Sequence, residues 1–226
     1  CAANPIVTEP AATTAMFMIV LPPRHRFLTG SGRYTGMAFG RTPGRFGYTE
    51  KKQAMLDFIT ARDLRLMRRV NRWRAPKWVR LWMICATRGG DGWLWYLMGF
   101  AILLFGGAER FAAAAAAALA SGIGIVLFLW LKRLAGRKRP CHFEPHCWAR
   151  LLPPDQFSFP SGHSITAFSV ATSLSLFYPA LMFGLLFCAA SIAVSRILLG
   201  MHFLSDVVVG SLLGASLGYW AFAAFG

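Results

Sequence analysis

The stretch Ser195-Arg196-Ile197-Leu198-Leu199-Gly200-Met201-His202-Phe203-Leu204-Ser205-Asp206 carries an arginine, a histidine and a carboxylate in otherwise apolar surroundings. From Ser161 to Gly226 the only formal charges are Arg196 and Asp206, and the only histidines are His163 and His202. Ionisable groups at membrane depth are costly and mark functional sites by default. His202 and Asp206 are spaced i, i+4, on one helix face and within mutual reach. Arg196 lies six residues before His202, about 240° around a regular helix. The three converge only if the helix breaks between them, and Gly200 is the natural place. A carboxylate bound to one imidazole nitrogen leaves the other free as nucleophile, base or metal ligand. An arginine fork beside it suits phosphate or carboxylate. The alternative is a polar patch that joins two membrane helices.

Two further polar clusters precede it. Lys132-Arg133-Leu134-Ala135-Gly136-Arg137-Lys138-Arg139-Pro140 closes one apolar run, as basic residues that flank a membrane span do. Phe159-Pro160-Ser161-Gly162-His163-Ser164 opens another. Pro, Ser and Gly ahead of an apolar helix make an N-terminus whose N–H groups bind anions; simple capping beside an incidental histidine is the plainer account. Alternating spans would place all three clusters at one face. Several cations, a helix N-terminus, a nucleophile and a proton donor around one spot make a phosphate site.

The elements that must position these groups are membrane helices. Of 226 residues, 56% are hydrophobic and 15% charged, against about 25% charged in an average soluble domain. Mean hydropathy is +0.48, yet net charge is +15 and the pI near 10.7. That combination predicts an integral membrane protein whose basic loops meet anionic headgroups. The apolar runs are too long for a soluble nucleic-acid-binding domain, so no nucleic-acid partner is expected.

The fold class expected is all-α: a polytopic transmembrane bundle of about five to six helices, preceded by an interfacial amphipathic helix. Residues 1–50 lack sustained periodicity and are rich in Pro, Gly, Thr and Arg, so they read as a flexible leader, with 51–226 as the membrane-embedded domain. From Asp57 to Arg74, Leu64, Met67, Val70 and Trp73 recur at helical spacing among Arg62, Arg65, Arg68, Arg69 and Arg72, as in a basic surface helix. Trp78 to Thr87 is apolar but short, a re-entrant or interfacial piece. Five apolar runs follow: Trp93–Gly107, Ala112–Leu131, Ser164–Tyr178, Ala180–Leu199 and Phe203–Phe225. In the last, Gly210, Gly214 and Gly218 continue the His202–Asp206 spacing as a small-residue stripe that admits a close neighbour.

Five cysteines do not make a disulfide scaffold in a chain this long. Cys85 and Cys188 are expected in the core. Cys141-His142-Phe143-Glu144-Pro145-His146-Cys147 holds zinc-type ligands, but a disulfide, or two free thiols in a reducing compartment, accounts for it as well.

Lys132-x6-Arg139-Pro140, Pro160-Ser161-Gly162-His163 and Ser195-Arg196-x5-His202-x3-Asp206 resemble, in order and in helical context, the three signature motifs of the type-2 phosphatidic acid phosphatase superfamily. The resemblance covers roughly Trp93 to Gly226 and implies the membrane lipid phosphatase branch. By that resemblance His202 would attack phosphorus and form a phosphohistidine, with Asp206 orienting it. His163 would protonate the leaving oxygen and then activate water. Lys132, Arg139 and Arg196, with Ser161 and the Gly162 N–H, would bind the phosphoryl oxygens. Phosphoryl transfer needs positioning and charge stabilisation above all; with three cations supplying them, no metal and no cofactor is expected. The implied substrate is a lipid phosphomonoester or diphosphate, such as undecaprenyl diphosphate, phosphatidylglycerol phosphate or phosphatidic acid. A non-catalytic phospholipid-binding or transport module, and a haloperoxidase-like vanadate enzyme, are the alternatives.

The expected location is the inner membrane, with the site on the periplasmic face by likeness to periplasm-facing lipid enzymes. The positive-inside rule argues the other way if Trp78–Thr87 does not cross, because Arg62 to Arg80 then share the site face. Oligomeric state is not legible.

Overall fold

The computed structural model describes residues 46–140, Phe143 and 156–226, with side chains from Phe58 onward. The segment up to residue 45 and the Cys141–His142 and Glu144–Cys147 stretches lie outside the described residues. Among the described residues seven α-helices follow one another: α1 (Phe46–Arg72), α2 (Lys77–Gly90), α3 (Trp93–Phe105), α4 (Arg110–Ala135), α5 (Gly162–Phe177), α6 (Met182–Leu198) and α7 (Leu204–Phe225). The basic helix thus begins at Phe46, inside the stretch read as leader.

The bundle is a multi-pass membrane fold. Three helical segments, Gly107–Ala135, Pro179–Leu198 and Leu204–Phe225, are long and apolar enough to cross a bilayer. Large side chains such as Phe100, Phe105, Phe111, Val126, Phe183, Leu212 and Trp220 point outward, where lipid rather than water is the natural neighbour.

At the centre stands α5, which packs against α4, α6 and α7. Its length of 16 residues gives about 24 Å, short of the bilayer core. It is also rich in serine: Ser164, Ser169, Ser173 and Ser175 are all buried. Both features are tolerable because α5 is enclosed by other helices rather than by lipid. Ser169 Oγ–H donates to the Ile165 carbonyl at 2.8 Å, so that hydroxyl is satisfied within the helix.

The glycine stripe explains how α7 lies on α5. A Cβ at Gly210 would fall 2.8 Å from the Ser161 carbonyl oxygen, one at Gly214 would overlap the Ile165 backbone, and one at Gly218 would fall 2.9 Å from Thr172 Cβ. The pairing advances along both helices in the same direction, so α5 and α7 run parallel with backbones nearly touching. On the other side, Ala113, Ala116, Ala117 and Ala120 of α4 are buried, and a Cβ at Gly124 would meet Ile165 Cγ2 at 2.7 Å. The ends of α4 and α6 and the starts of α5 and α7 therefore meet at one end of the bundle.

α2 packs along α6. Ala75, just before it, and Ile84, within it, pack on Leu199 and Met201 beyond the end of α6. Its last residue, Gly90, stands against His163 and Ile192. Between these ends Trp82 lies against Phe187 of α6, with ring centroids 5.6 Å apart. Cys85, expected in the core, is exposed on the outer face of α2, which corrects that reading, whereas Cys188 is half-buried and packs against the main core. α3 then leads to the opposite end, where Tyr178 O–H donates to the Gly106 carbonyl at 3.0 Å.

The α5–α7 contact leaves no room for a side chain at position 214. Gly214→Val is expected to destabilise the bundle by roughly 1–3 kcal/mol through overpacking. Thermal unfolding in detergent checks this, with the open position Gly122, which has nothing within 4 Å of its virtual Cβ, as the tolerant control for the same substitution.

Candidate active site

The α6 helix ends where expected. Gly200 adopts φ +68°, a left-handed conformation that stops the helix. The chain then folds back, so that the N–H groups of Met201 and His202 both donate to the Arg196 carbonyl, at 3.0 and 3.1 Å. This reversal brings His202 beside Arg196 despite their opposed positions on a regular helix.

His202 is 3% exposed. Its Nδ1 lies 2.6 Å from the Ser158 carbonyl oxygen. A carbonyl only accepts, so Nδ1 carries the proton and Nε2 keeps its lone pair. That lone pair faces Arg139, whose Nη1 is 3.4 Å away; the same Nη1 donates to the Met201 carbonyl at 2.8 Å. His202 sits in the α6–α7 connection, outside both helices. Burial is the largest influence on it, reinforced by Arg139 and Arg196 and only partly offset by Asp206, and together these push the imidazole down to about 4. It is therefore neutral, as a nucleophile must be.

Asp206 stands near His202 but does not make the direct bond. Its Oδ2 is 3.8 Å from Nδ1, while Oδ2 accepts from the Phe203 N–H at 2.9 Å. Its Oδ1 accepts from Arg137 Nη1 at 2.6 Å. The carboxylate thus closes the first turn of α7 and neutralises a guanidinium, and holds the backbone on which His202 rides.

Arg137 is tied on both sides. Its other nitrogen, Nη2, pairs with Asp63 of α1 at 2.7 Å, and its guanidinium lies 4.3 Å above the Phe203 ring. Ser205 O–H also bonds to Asp63 and Ser205 Oγ accepts from Arg137 at 2.7 Å. Asp63, Arg137, Ser205 and Asp206 form one network that fastens the surface helix α1 to the start of α7.

The remaining expected residues gather around this corner. Lys132, on the last turn of α4, is 8% exposed, and its Nζ sits 4.6 Å over the Phe128 ring. The same ring fills the space where a side chain at Gly162 would go, with carbons 3.2–3.3 Å from a virtual Cβ. Ser161, fully buried, caps α5 by accepting from the Ser164 N–H at 3.4 Å. Arg196 reaches Thr87 Oγ1 of α2 at 3.4 Å. His163 stands in the first turn of α5, and its Nε2 lies 2.8 Å from Oδ1 of Asp91, in the α2–α3 turn. Arg139 and Arg196 are close enough to act electrostatically on both imidazoles.

Sequence reasoning missed Ser158, Asp91, Asp63 and Arg137 as parts of this corner. Ser158 contributes a backbone carbonyl, which any residue could supply, so no sequence signal marks it. Asp63 did carry a signal: it is the acid on the apolar face of a basic amphipathic helix. Among the described residues no group of three or more His, Cys, Asp or Glu is arranged to hold a metal ion.

Residues 111–226, slightly more than half of the chain, match the model of the PAP2 superfamily. The chain belongs to that superfamily. It is 36% identical over 150 residues to the decaprenylphosphoryl-5-phosphoribose phosphatase of Mycobacterium tuberculosis, covering 60% of this chain and 77% of that one. It is 35% identical over 89 residues to a lipid A 1-phosphatase of Rhizobium johnstonii, covering 38% of this chain and 36% of the relative, so that match spans about a third of the relative's length. The crystal structure of Aquifex aeolicus LpxE superposes with TM-score 0.61 and 29% identity over 71% of this chain and 94% of that one.

Removing Arg137 would leave two carboxylates, Asp63 and the fully buried Asp206, without their shared cation. Arg137→Ala is expected to cost about 3 kcal/mol of stability, the typical result of breaking one side of a buried pair. Chemical denaturation in detergent measures it. A loss no larger than that of an exposed arginine such as Arg65 would show that the network contributes nothing.

Proposed function

We propose that this chain is an integral membrane phosphatase that releases phosphate from a lipid phosphomonoester or diphosphate through a phosphohistidine. The observation that carries the reading is the buried imidazole of His202, with its proton committed to the Ser158 carbonyl at 2.6 Å and its lone pair turned toward Arg139 at 3.4 Å. A neutral nitrogen nucleophile facing a guanidinium is what attack on a bound phosphoryl group requires. The likeness to a lipid A 1-phosphatase and to a decaprenylphosphoryl-5-phosphoribose phosphatase supports the same class.

In the first step, His202 Nε2 attacks phosphorus. The N–P bond forms as the bond from phosphorus to the departing oxygen breaks, and that oxygen leaves with a proton from His163. In the second step, water attacks phosphorus and passes a proton to His163. The P–N bond breaks and inorganic phosphate departs, with both rings restored. Lys132, Arg139 and Arg196 hold the phosphoryl oxygens and offset their charge, helped by Ser161 and the Gly162 N–H at the start of α5. Asp206 acts on His202 through the backbone of the α7 start and through its charge. With cations filling the Lewis-acid role, the reaction runs without a metal ion.

The substrate's acyl or prenyl chain lies among the outward-facing apolar side chains of the bundle, and the exposed Arg62, Arg65, Arg68, Arg69 and Arg72 of α1 attract anionic headgroups. The site opens on the periplasmic face of the inner membrane, and the basic surface of α1 on that face serves lipid capture.

Phosphate release from a panel of undecaprenyl diphosphate, phosphatidylglycerol phosphate and phosphatidic acid in detergent micelles tests the activity. At least one member is expected to turn over, to do so in EDTA, and to lose at least about 10³-fold in kcat with His202→Ala. Tight binding of a lipid phosphate with no turnover would instead favour a non-catalytic module. For sidedness, Arg72→Cys is expected to react with an impermeant thiol reagent added to intact cells. Protection until the cells are opened would put the site on the cytoplasmic face.

A further inference from the structure

The turn between α2 and α3 reads Gly89-Gly90-Asp91-Gly92. Gly90 is buried, and a Cβ there would fall 2.8 Å from Ile192 Cγ2 and 3.2 Å from Cδ2 of His163. The end of α2 is therefore pressed against the imidazole as closely as a glycine allows. Gly92 takes φ +125°, open in practice to glycine alone, and turns the chain into α3. Asp91 sits between these two glycines. Its backbone closes α2, the N–H donating to the Arg88 carbonyl at 3.1 Å, and the N-cap position of α3 falls to Gly92. Here α3 receives no side-chain cap, and the carboxylate goes to His163 Nε2 at 2.8 Å.

We propose that Asp91 is a positioning residue for the reaction: it holds the proton on His163 Nε2 and so makes Nδ1 the nitrogen that exchanges protons with the leaving group and with water. An ionised carboxylate only accepts hydrogen bonds, so Nε2 must carry hydrogen while Asp91 is bound. In the imidazolium, Nδ1–H is then the acid that protonates the departing oxygen. Once that proton has gone, the ring is neutral, with hydrogen on Nε2 and a lone pair on Nδ1. That is the tautomer needed to take a proton from the attacking water. The carboxylate also stabilises the charged ring, which must exist before the first step.

Asp91 is equipped to stay ionised. Burial pushes its carboxyl up, but the bond from His163, together with Arg196 and Arg88, holds it below its ordinary value. The charged groups that act on His163 come from several elements: Asp91 from the α2–α3 turn, Arg139 from the segment after α4 and Arg196 from α6, while Arg88 of α2 acts on Asp91. Of these, Asp91 alone among the described residues bonds the ring directly with a carboxylate.

The contrast with His202 shows why the partner type matters. His202 donates to a neutral carbonyl, which fixes a tautomer without favouring the charged ring. His163 meets a carboxylate, which fixes a tautomer and favours charge. Two imidazoles are thereby assigned two tasks by the chemistry of their acceptors.

The inference rests on the phosphatase reading and is tested with the panel lipid phosphate that turns over fastest, using the full chain in detergent. Asp91→Asn is expected to lower kcat by roughly 10- to 100-fold, the usual range for removing a partner that orients a reacting group, with KM changed by no more than about threefold. The alkaline limb of the kcat–pH profile should move to lower pH, because the imidazolium loses its counter-charge and gives up its proton more readily. Asp91→Glu should recover most of the rate and return the limb toward its original position. The inference is overturned if Asp91→Asn stays within about twofold of the original kcat. It is equally overturned if the rate falls while the limb stays in place and Asp91→Glu is no better than Asp91→Asn, which is the behaviour of a turn residue. His202→Ala separates the two levels: full activity in that variant sinks the phosphatase reading itself, whereas an inactive His202→Ala beside an unaltered Asp91→Asn sinks only this inference.

Discussion

The proton on Nδ1 of His202 goes to the Ser158 carbonyl, and most of the site geometry can be traced back to keeping those two atoms together. A backbone carbonyl can hold a ring only if its own segment is held. Ser158 N–H donates to the Arg137 carbonyl at 2.7 Å, and Lys138 and Phe157 form an antiparallel bridge. The segment leaving α4 and the segment entering α5 are thus clipped together just beneath His202. On the other side the ring is delivered by the Gly200 reversal, which hangs two N–H groups on one carbonyl of Arg196. The nucleophile is fixed by backbone on both flanks, and its aim does not depend on flexible side chains.

Charge is the second constraint. Lys132, Arg139 and Arg196 are all buried to within a few per cent, at the end of a bundle whose exterior is apolar. Burying cations without compensation costs several kcal/mol each, so the surrounding structure must absorb that cost. It does so with the Phe128 ring under Lys132, a carbonyl on Arg139 and a hydroxyl on Arg196, and the charge of Asp91 near Arg196, while Asp63 and Asp206 do the same for Arg137. None of these acids lies in the same helix as another. α1, the α2–α3 turn and α7 each bring one, so the charge balance also ties the peripheral elements to the central bundle. The Asp63–Arg137–Asp206 chain is the clearest case, because it joins a surface helix to the helix start that carries His202.

The bundle itself follows from how α5 is enclosed. A helix that is short and rich in serine would be a poor membrane span alone. Flanked by the alanines of α4 and the glycines of α7, it becomes the axis on which the others pack. Close backbone approach is available in lipid only through small residues, since apolar side chains gain little by leaving one hydrocarbon for another. The glycine stripe therefore sets the rotation of α7, and with it the direction in which Asp206 and the preceding His202 face.

Much of this was legible beforehand. The apolar runs, the basic amphipathic helix, the break at Gly200 and the glycine stripe each have a local cause in periodicity, length or the special freedom of glycine. The motif residues were legible as types capable of phosphate chemistry. What the chain could not announce were contacts made by atoms common to every residue, or by residues far away in sequence. The Ser158 carbonyl is of the first kind. Asp91 is of the second, since it lies 72 positions before His163 and looks like an ordinary turn aspartate between glycines. The displacement of Asp206 from the imidazole is of the same origin: i, i+4 spacing permits the contact, but Arg137 and the Phe203 N–H compete for the same oxygens. Local pattern determines which segments become helices and which side chains are chemically able. Only the packed structure decides which donor finds which acceptor, because that choice is made by competition among groups that meet in space and not along the chain.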